Sequence, residues 1–268
     1  MIATDFLMQK YHDLFDLAKR AIEEGPSFLV GKNANSLERQ VTLFHFARAM
    51  YLLEGIHVLC THGLATEAMV LLRSLLNLYI NIKWLTNTDV AQRFERFADF
   101  EVVFRKLAIQ SVIDYGDIWD QIKDDKLSVH DQNFESIKKK YSLLKREDLF
   151  NWSGKSIFKM ASERGVDLEK DYRIIYGRLS SIEHTGPASV REYLDDSDTG
   201  ITKIKTGSRD ENIDMVLLTA LEYYFNVKAI AHNAFDLEWP NLEKDKEAFL
   251  TLQRKYWVSK DKEGLTSG

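Results

Sequence analysis

The chain has 268 residues, with 36 Lys and Arg against 41 Asp and Glu. The formal charge of −5 excludes a broad, sequence-independent nucleic-acid binder, which needs a basic surface to displace counterions. A hydrophobic fraction of 45% with 29% charged residues excludes a disordered chain and supplies a sizeable core. The one cysteine, Cys60, excludes an intramolecular disulfide, and the start Met1-Ile2-Ala3-Thr4-Asp5-Phe6 lacks a basic stretch followed by an apolar one, so the cytoplasm is the expected compartment.

Taken from the start, residues 3 to 24 place Phe6, Tyr11, Leu14, Phe15, Ala18 and Ile22 at helical spacing, and Gly25-Pro26 is the expected stop. Asn35-Ser36 can cap a second helix reaching about His62, with a wide stripe from Val41 to Ile56, and Gly63 ends it. Leu64 to Leu85 is apolar on nearly every face, which predicts a buried central helix. A membrane span is disfavoured because Glu67, Arg73, Asn77, Asn81 and Lys83 would all lie in lipid.

Thr88 or Asp89 can cap a fourth helix to about Tyr115, carrying Phe94, Phe97, Val102, Leu107 and Ile113, before a break at Gly116-Asp117. A charged helix runs to about Leu144, and Asn151 to Ser156 introduces a short helix that Gly165 terminates. Gly154-Lys155-Ser156 is not a phosphate-binding loop, because Leu149 stands where that motif needs glycine and no strand precedes it. A helix from Leu168 to Glu183 ends at His184-Thr185-Gly186-Pro187. A polar excursion follows from Asp195 to Asp210, with one short extended piece at Ile201 to Lys205. The last helices run from about Glu211 to Phe235, closed by Trp239-Pro240, and from 241 to 257, before a polar tail.

The three prolines, Pro26, Pro187 and Pro240, all fall where the periodicity breaks. The expected fold is therefore an all-α antiparallel bundle forming one domain. Its core lies at about 36–236 around the buried helix 64–86, with peripheral helices at 1–32 and 240–268.

Arg73 sits mid-way along the most apolar helix and cannot lose its charge, so it needs an acceptor or a solvated cavity. Asn77, one turn on, and Glu67 are the candidates on its own helix. Two readings stand: a buried Arg that ties helices together, or an anion site. On the later helix Tyr176, Ser180 and His184 recur at i, i+4 and i+8, lining a phenol, a hydroxyl and an imidazole along one face, with Gly177, Ser180 and Ser181 allowing close approach. No spacing suits a metal site, and no nucleophilic triad is evident, so neither metal nor cofactor is expected.

The succession Gly63-Leu64-x-x-Glu67-Ala68-x-x-x-Leu72-Arg73-Ser74-Leu75, Trp152-Ser153-Gly154-Lys155 and Tyr176-x-x-Leu179-Ser180-x-x-x-His184 resembles an uncharacterised prokaryotic helical family of unknown function, over residues 40 to 235. Asn77 departs from that family, which usually has Glu there. More distantly, Arg178-x5-His184 resembles the Arg-x(4–6)-His signature of the HEPN superfamily of helical-bundle proteins, although Leu179 stands where many of its nucleases have a polar residue.

That second resemblance implies a metal-independent ribonuclease of a toxin or phage-defence system. His184, Arg178 and Arg73 would be catalytic, and Tyr176, Ser180, Glu67 and Asn77 would bind substrate. RNA as substrate, a homodimer and an antitoxin or other partner protein are the partner expectations that come with it; no membrane is expected from the polar residues within 64–85. The competing expectation is a non-catalytic bundle whose Arg73, Tyr176, Ser180 and His184 bind a small anion or a protein partner.

Overall fold

The computed structural model describes residues 4–29, 34–115, 126–184, 186–196, 202–205, 207–235 and 241–258. Helix α1 (Thr4–Lys10) leads into α2 (His12–Leu29), which does not stop at Gly25-Pro26 but carries Pro26 inside it. Pro26 costs one helical hydrogen bond. Gly25 explains why the helix continues: an added Cβ there would overlap Met50 Sδ and lie 3.5 Å from the Tyr224 hydroxyl. Packing against two core helices outweighs the local breaker signal.

Ser36 caps α3 (Leu37–Thr61) by accepting the Arg39 N–H at 3.3 Å. After it, Gly63 takes φ +71°, a left-handed turn that residues with a Cβ avoid. A Cβ at this position would also lie 2.7 Å from both N and O of Arg209, whose N–H donates to the Gly63 carbonyl at 2.9 Å. The glycine is needed twice, for the turn and for the crossing strand of backbone. The brief connection His62–Leu64 then sends α4 (Ala65–Leu85) back along α3.

As its composition predicts, α4 is the buried centre, with Leu72, Leu75, Leu76, Ile80 and Ile82 fully shielded. Helix α5 (Val90–Tyr115) begins after Asp89 at φ +47°, and Thr88 accepts from the Arg93 guanidinium at 2.6 Å. Next come α6 (Lys126–Tyr141) and the short α7 (Ile157–Ala161), which Ser156 caps.

The segment of most interest is one rod in three pieces: α8 (Glu169–Asp171), a five-residue π-helical turn (Tyr172–Tyr176) and α9 (Gly177–Glu183). After α10 (Val190–Tyr193), strand β1 (Leu194–Asp196) pairs antiparallel with β2 (Thr202–Ile204), Leu194 facing Ile204. The extended piece expected at 201–205 is thus half of a small ribbon. Helix α11 (Ile213–Phe235) packs against α3 and α4, and α12 (Leu242–Gln253) ends in a π turn (Arg254–Val258).

The fold is all-α, with that ribbon the only sheet among the described residues. One apolar core runs from Leu7 to Leu252, and a satellite of Phe100, Val103, Ile137 and Leu143 joins α5 to α6. The outer helices are less peripheral than expected, since Leu7, Leu14 and Ala18 are fully buried. No described helix is long and apolar enough to cross a membrane. The expected break at Gly116-Asp117, the stop at Trp239-Pro240, Thr185 and the polar tail lie outside the described residues, as does the Ile113 side chain.

Candidate functional site: an arginine, histidine and glutamate where α4 meets the end of α9

Arg73 projects from the middle of α4 towards the π turn and α9, with its side chain 13% exposed. Its guanidinium lies over the Tyr176 ring at 4.6 Å, and Nη2 donates to the Tyr176 hydroxyl at 2.7 Å. The Tyr176 ring in turn stacks on Tyr172 at 4.3 Å and 15°. The wide π turn that carries both tyrosines builds this layer; such turns recur at functional sites.

Nη1 of Arg73 pairs with the Glu183 carboxylate and lies 3.3 Å from His184 Nε2. A guanidinium only donates, so His184 presents the Nε2 lone pair and carries its proton on Nδ1, an assignment made from this bond. Glu183 Oε2 is 3.7 Å from the same Nε2, and the His184 side chain is 68% exposed. The backbone holds the imidazole in place, because His184 closes α9 and donates its N–H to the Ser180 carbonyl at 3.1 Å. Buried Nε of Arg73 finds no acceptor, a deficit that costs about 1–3 kcal/mol.

The acceptor that Arg73 requires therefore comes from α9 and not from its own helix. Glu67 is turned towards Tyr193, whose hydroxyl is 3.5 Å from its carboxylate. Asn77 lines a shallow pocket between α3 and α5 with His45, Arg48 and Phe97, and its Oδ1 is buried without a partner. Ser180 enters the cluster through its carbonyl. Arg178 points elsewhere: its Nη2 donates to Glu192 at 2.9 Å, and it lines a groove with Ile174, Met215, Glu222 and Trp257.

Of the residues singled out from the sequence, the structure thus brings together Arg73, Tyr176 and His184. It places Arg178, Glu67 and Asn77 outside that cluster. Glu183 is the residue that sequence reasoning passed over. Its signal was present, since it follows Tyr176 by seven positions and so shares the face on which His184 was noticed.

The Trp152-Ser153-Gly154-Lys155 motif has a structural task. Arg96 Nε donates to the Trp152 carbonyl at 2.6 Å, tying the loop to α5. The Lys155 ammonium meets Glu163, which also accepts from Arg93 and, at 2.9 Å, from Trp84 Nε1 on α4. Burial alone would raise the Glu163 carboxyl, but the hydrogen bonds from Lys155, Arg93 and Trp84 bring its pKa down to about 2. The basic run Lys138 to Lys140 is largely answered by carboxylates, with Lys138 on Glu135 and Lys140 on Glu95 and Asp99. Among the described residues no group of three or more His, Cys, Asp or Glu could hold a metal ion.

Fold and site together define a helical protein with a solvent-reachable Arg–His–Glu cluster at a helix end. The chain belongs to a family of unknown function, DUF5677, which matches residues 39–201, from the start of α3 past β1. The matched stretch contains every residue of the cluster and leaves α11, which completes the core, outside. No curated protein and no solved structure matches the chain.

Proposed function

We propose that the chain is a HEPN-like ribonuclease that cleaves RNA by acid–base chemistry at His184 without a metal. His184 Nε2 takes the proton of the ribose 2′-hydroxyl as its oxygen attacks phosphorus, or delivers one to the departing 5′-oxygen. Arg73 stabilises the charge that builds on the phosphate oxygens. Glu183, close to Nε2, favours the imidazolium once the proton has arrived, and Tyr176 holds the guanidinium flat by stacking and hydrogen bonding. Arg178, held by Glu192, stands outside this centre. The setting that goes with the reading is a toxin or phage-defence system, with an antitoxin or other protein as partner.

The observation that carries it is the pairing of a 68% exposed His184 with a largely buried Arg73 at 3.3 Å. A purely structural network would be sealed in the core. The test is cleavage of total and structured RNA in EDTA by the purified chain beside a folded His184→Ala variant. Cleavage that disappears in the variant supports the proposal, and inactivity of well-folded wild type overturns it.

A second reading has its own support. Glu183 already neutralises Arg73, as it would in a non-catalytic bundle that ties its helices together or binds a small anion or a protein partner through Arg73, Tyr176, Ser180 and His184. The net charge of −5 also favours it. Unchanged RNA together with saturable binding of inorganic phosphate, lost in Arg73→Ala, is its signature.

A further inference from the structure

A groove of about 280 Å³, just below the usual range of small-molecule sites, opens between α3, α4 and α5. Phe44, His45 and Arg48 line it from α3, Asn77 and Asn81 from α4, and Phe97 from α5. Its polar lining is short of partners. Five side-chain polar atoms among the described residues are buried without a hydrogen bond, and two of them are Oδ1 of Asn77 and Oδ1 of Asn81, one turn apart on α4. Each is a cost to folding that leucine would avoid in so apolar a helix. No hydrogen bond among the described residues holds either amide against a half turn about χ2, so each can offer the groove its oxygen or its amino hydrogens. His45 is 2% exposed, and its Nδ1 donates to the Val41 carbonyl at 2.7 Å. Burial keeps the ring neutral, so Nε2 carries a lone pair, which no donor among the described residues meets. Two rings and a cation complete the lining. Phe44 and Phe97 each place their ring centroid 5.3 Å from that of His45, and Phe44 is 57% exposed. Arg48 is exposed and has no carboxylate partner among the described residues.

We propose that this groove binds an adenosine monophosphate unit. Adenine answers the whole polar set. One asparagine amide pairs with its N6 amine and N7 at once, the second N6 hydrogen meets the His45 lone pair, and N1 accepts from the other amide. Phe44 or Phe97 gives the base a face to stack on, and the Arg48 guanidinium meets the phosphate. Guanine is the poorer match, because it sets a carbonyl oxygen where adenine has the amine, and the neutral His45 would then face another acceptor. Neither Arg73 nor His184 lines the groove, so the proposal does not depend on cleavage at that pair.

The test is calorimetric titration of the full chain with AMP, GMP and adenosine, for wild type, Asn77→Leu, Asn81→Leu and Arg48→Gln. AMP should bind wild type with a Kd below about 1 mM, and GMP about tenfold or more weakly. Each leucine substitution should weaken AMP about tenfold or more, the ordinary worth of a good base contact. Both variants should resist urea as well as wild type or better, since each removes an orphaned oxygen. Arg48→Gln, at an exposed position, should lower AMP affinity to that of adenosine and leave adenosine binding unchanged. An oligoadenylate in the same titration separates the two sources of the unit: binding tighter than AMP marks a strand, and weaker binding marks the free nucleotide. The proposal is overturned if neither AMP nor the oligoadenylate binds at about 1 mM, if GMP binds as tightly as AMP, or if AMP affinity is indifferent to both leucine substitutions or to Arg48→Gln.

Discussion

Nη1 of Arg73 lies 3.3 Å from Nε2 of His184, joining the middle of the most buried helix to the end of a helix 111 positions later. The contact sets a permanent positive charge, its side chain 13% exposed, beside the imidazole. Glu183 and Tyr176 then fix its orientation.

Removing Arg73 is expected to do two separable things. Arg73→Ala leaves Glu183 without its cation and Tyr176 without its hydroxyl donor, costing about 1–3 kcal/mol in urea unfolding. Arg73→Lys keeps the charge but not the planar stack or the two-pronged donation, and should recover only part of that loss. Equal stability of Ala and Lys variants with wild type would remove Arg73 from the structural account.

Glu163 should govern part of the acid stability. Its pKa in the folded chain, about 2, is below the ordinary carboxylate value, so its contribution is present above about pH 4.5 and lost as pH falls towards 2. Glu163→Gln is expected to lower stability at pH 7 by roughly 2 kcal/mol and to flatten the stability profile between those pH values. A profile identical to wild type would contradict the network drawn around Trp84, Arg93 and Lys155.

His45 acts in a different window. Burial lowers its pKa to about 4, although its Nδ1 bond to the Val41 carbonyl at 2.7 Å works the other way. Unfolding lets it take up a proton, so stability should fall as pH drops from about 6.5 to 4, with a slope of at most about 1.4 kcal/mol per pH unit. His45→Leu should remove that slope, as unfolding free energies at pH 5 and 7 will show.

Cys60 is fully buried, and desolvation pushes its thiol pKa upward. A thiol-specific reagent is expected to leave it unmodified in the native chain and to label it at once in denaturant. Rapid labelling of native protein would mean that the end of α3 opens.

The helices were readable because their causes are local. Ser36 caps α3, α4 is apolar on nearly every face, and Gly63 ends a helix where a positive φ is needed. Pro26 misled because its effect was outweighed by something distant, the fit of Gly25 against Met50. The site shows the same division. The sequence demanded an acceptor for Arg73 and offered Glu67 and Asn77 on the same helix, but which face of α4 meets α9 is a matter of tertiary packing. The π turn at Tyr172–Tyr176 was likewise invisible, since no residue type marks it, and it is what sets the two tyrosines under the guanidinium.

The proposed centre is tested most directly by comparing His184→Ala and Arg178→Ala with wild type on one RNA in EDTA. Removing His184 should cost about a hundredfold or more in cleavage rate, the ordinary share of a proton-transferring group, while removing Arg178 should leave the rate within a few-fold of wild type. Full activity without His184, or an Arg178 variant as inactive as the His184 one, would contradict the assignment of the chemistry to the Arg73–His184 pair.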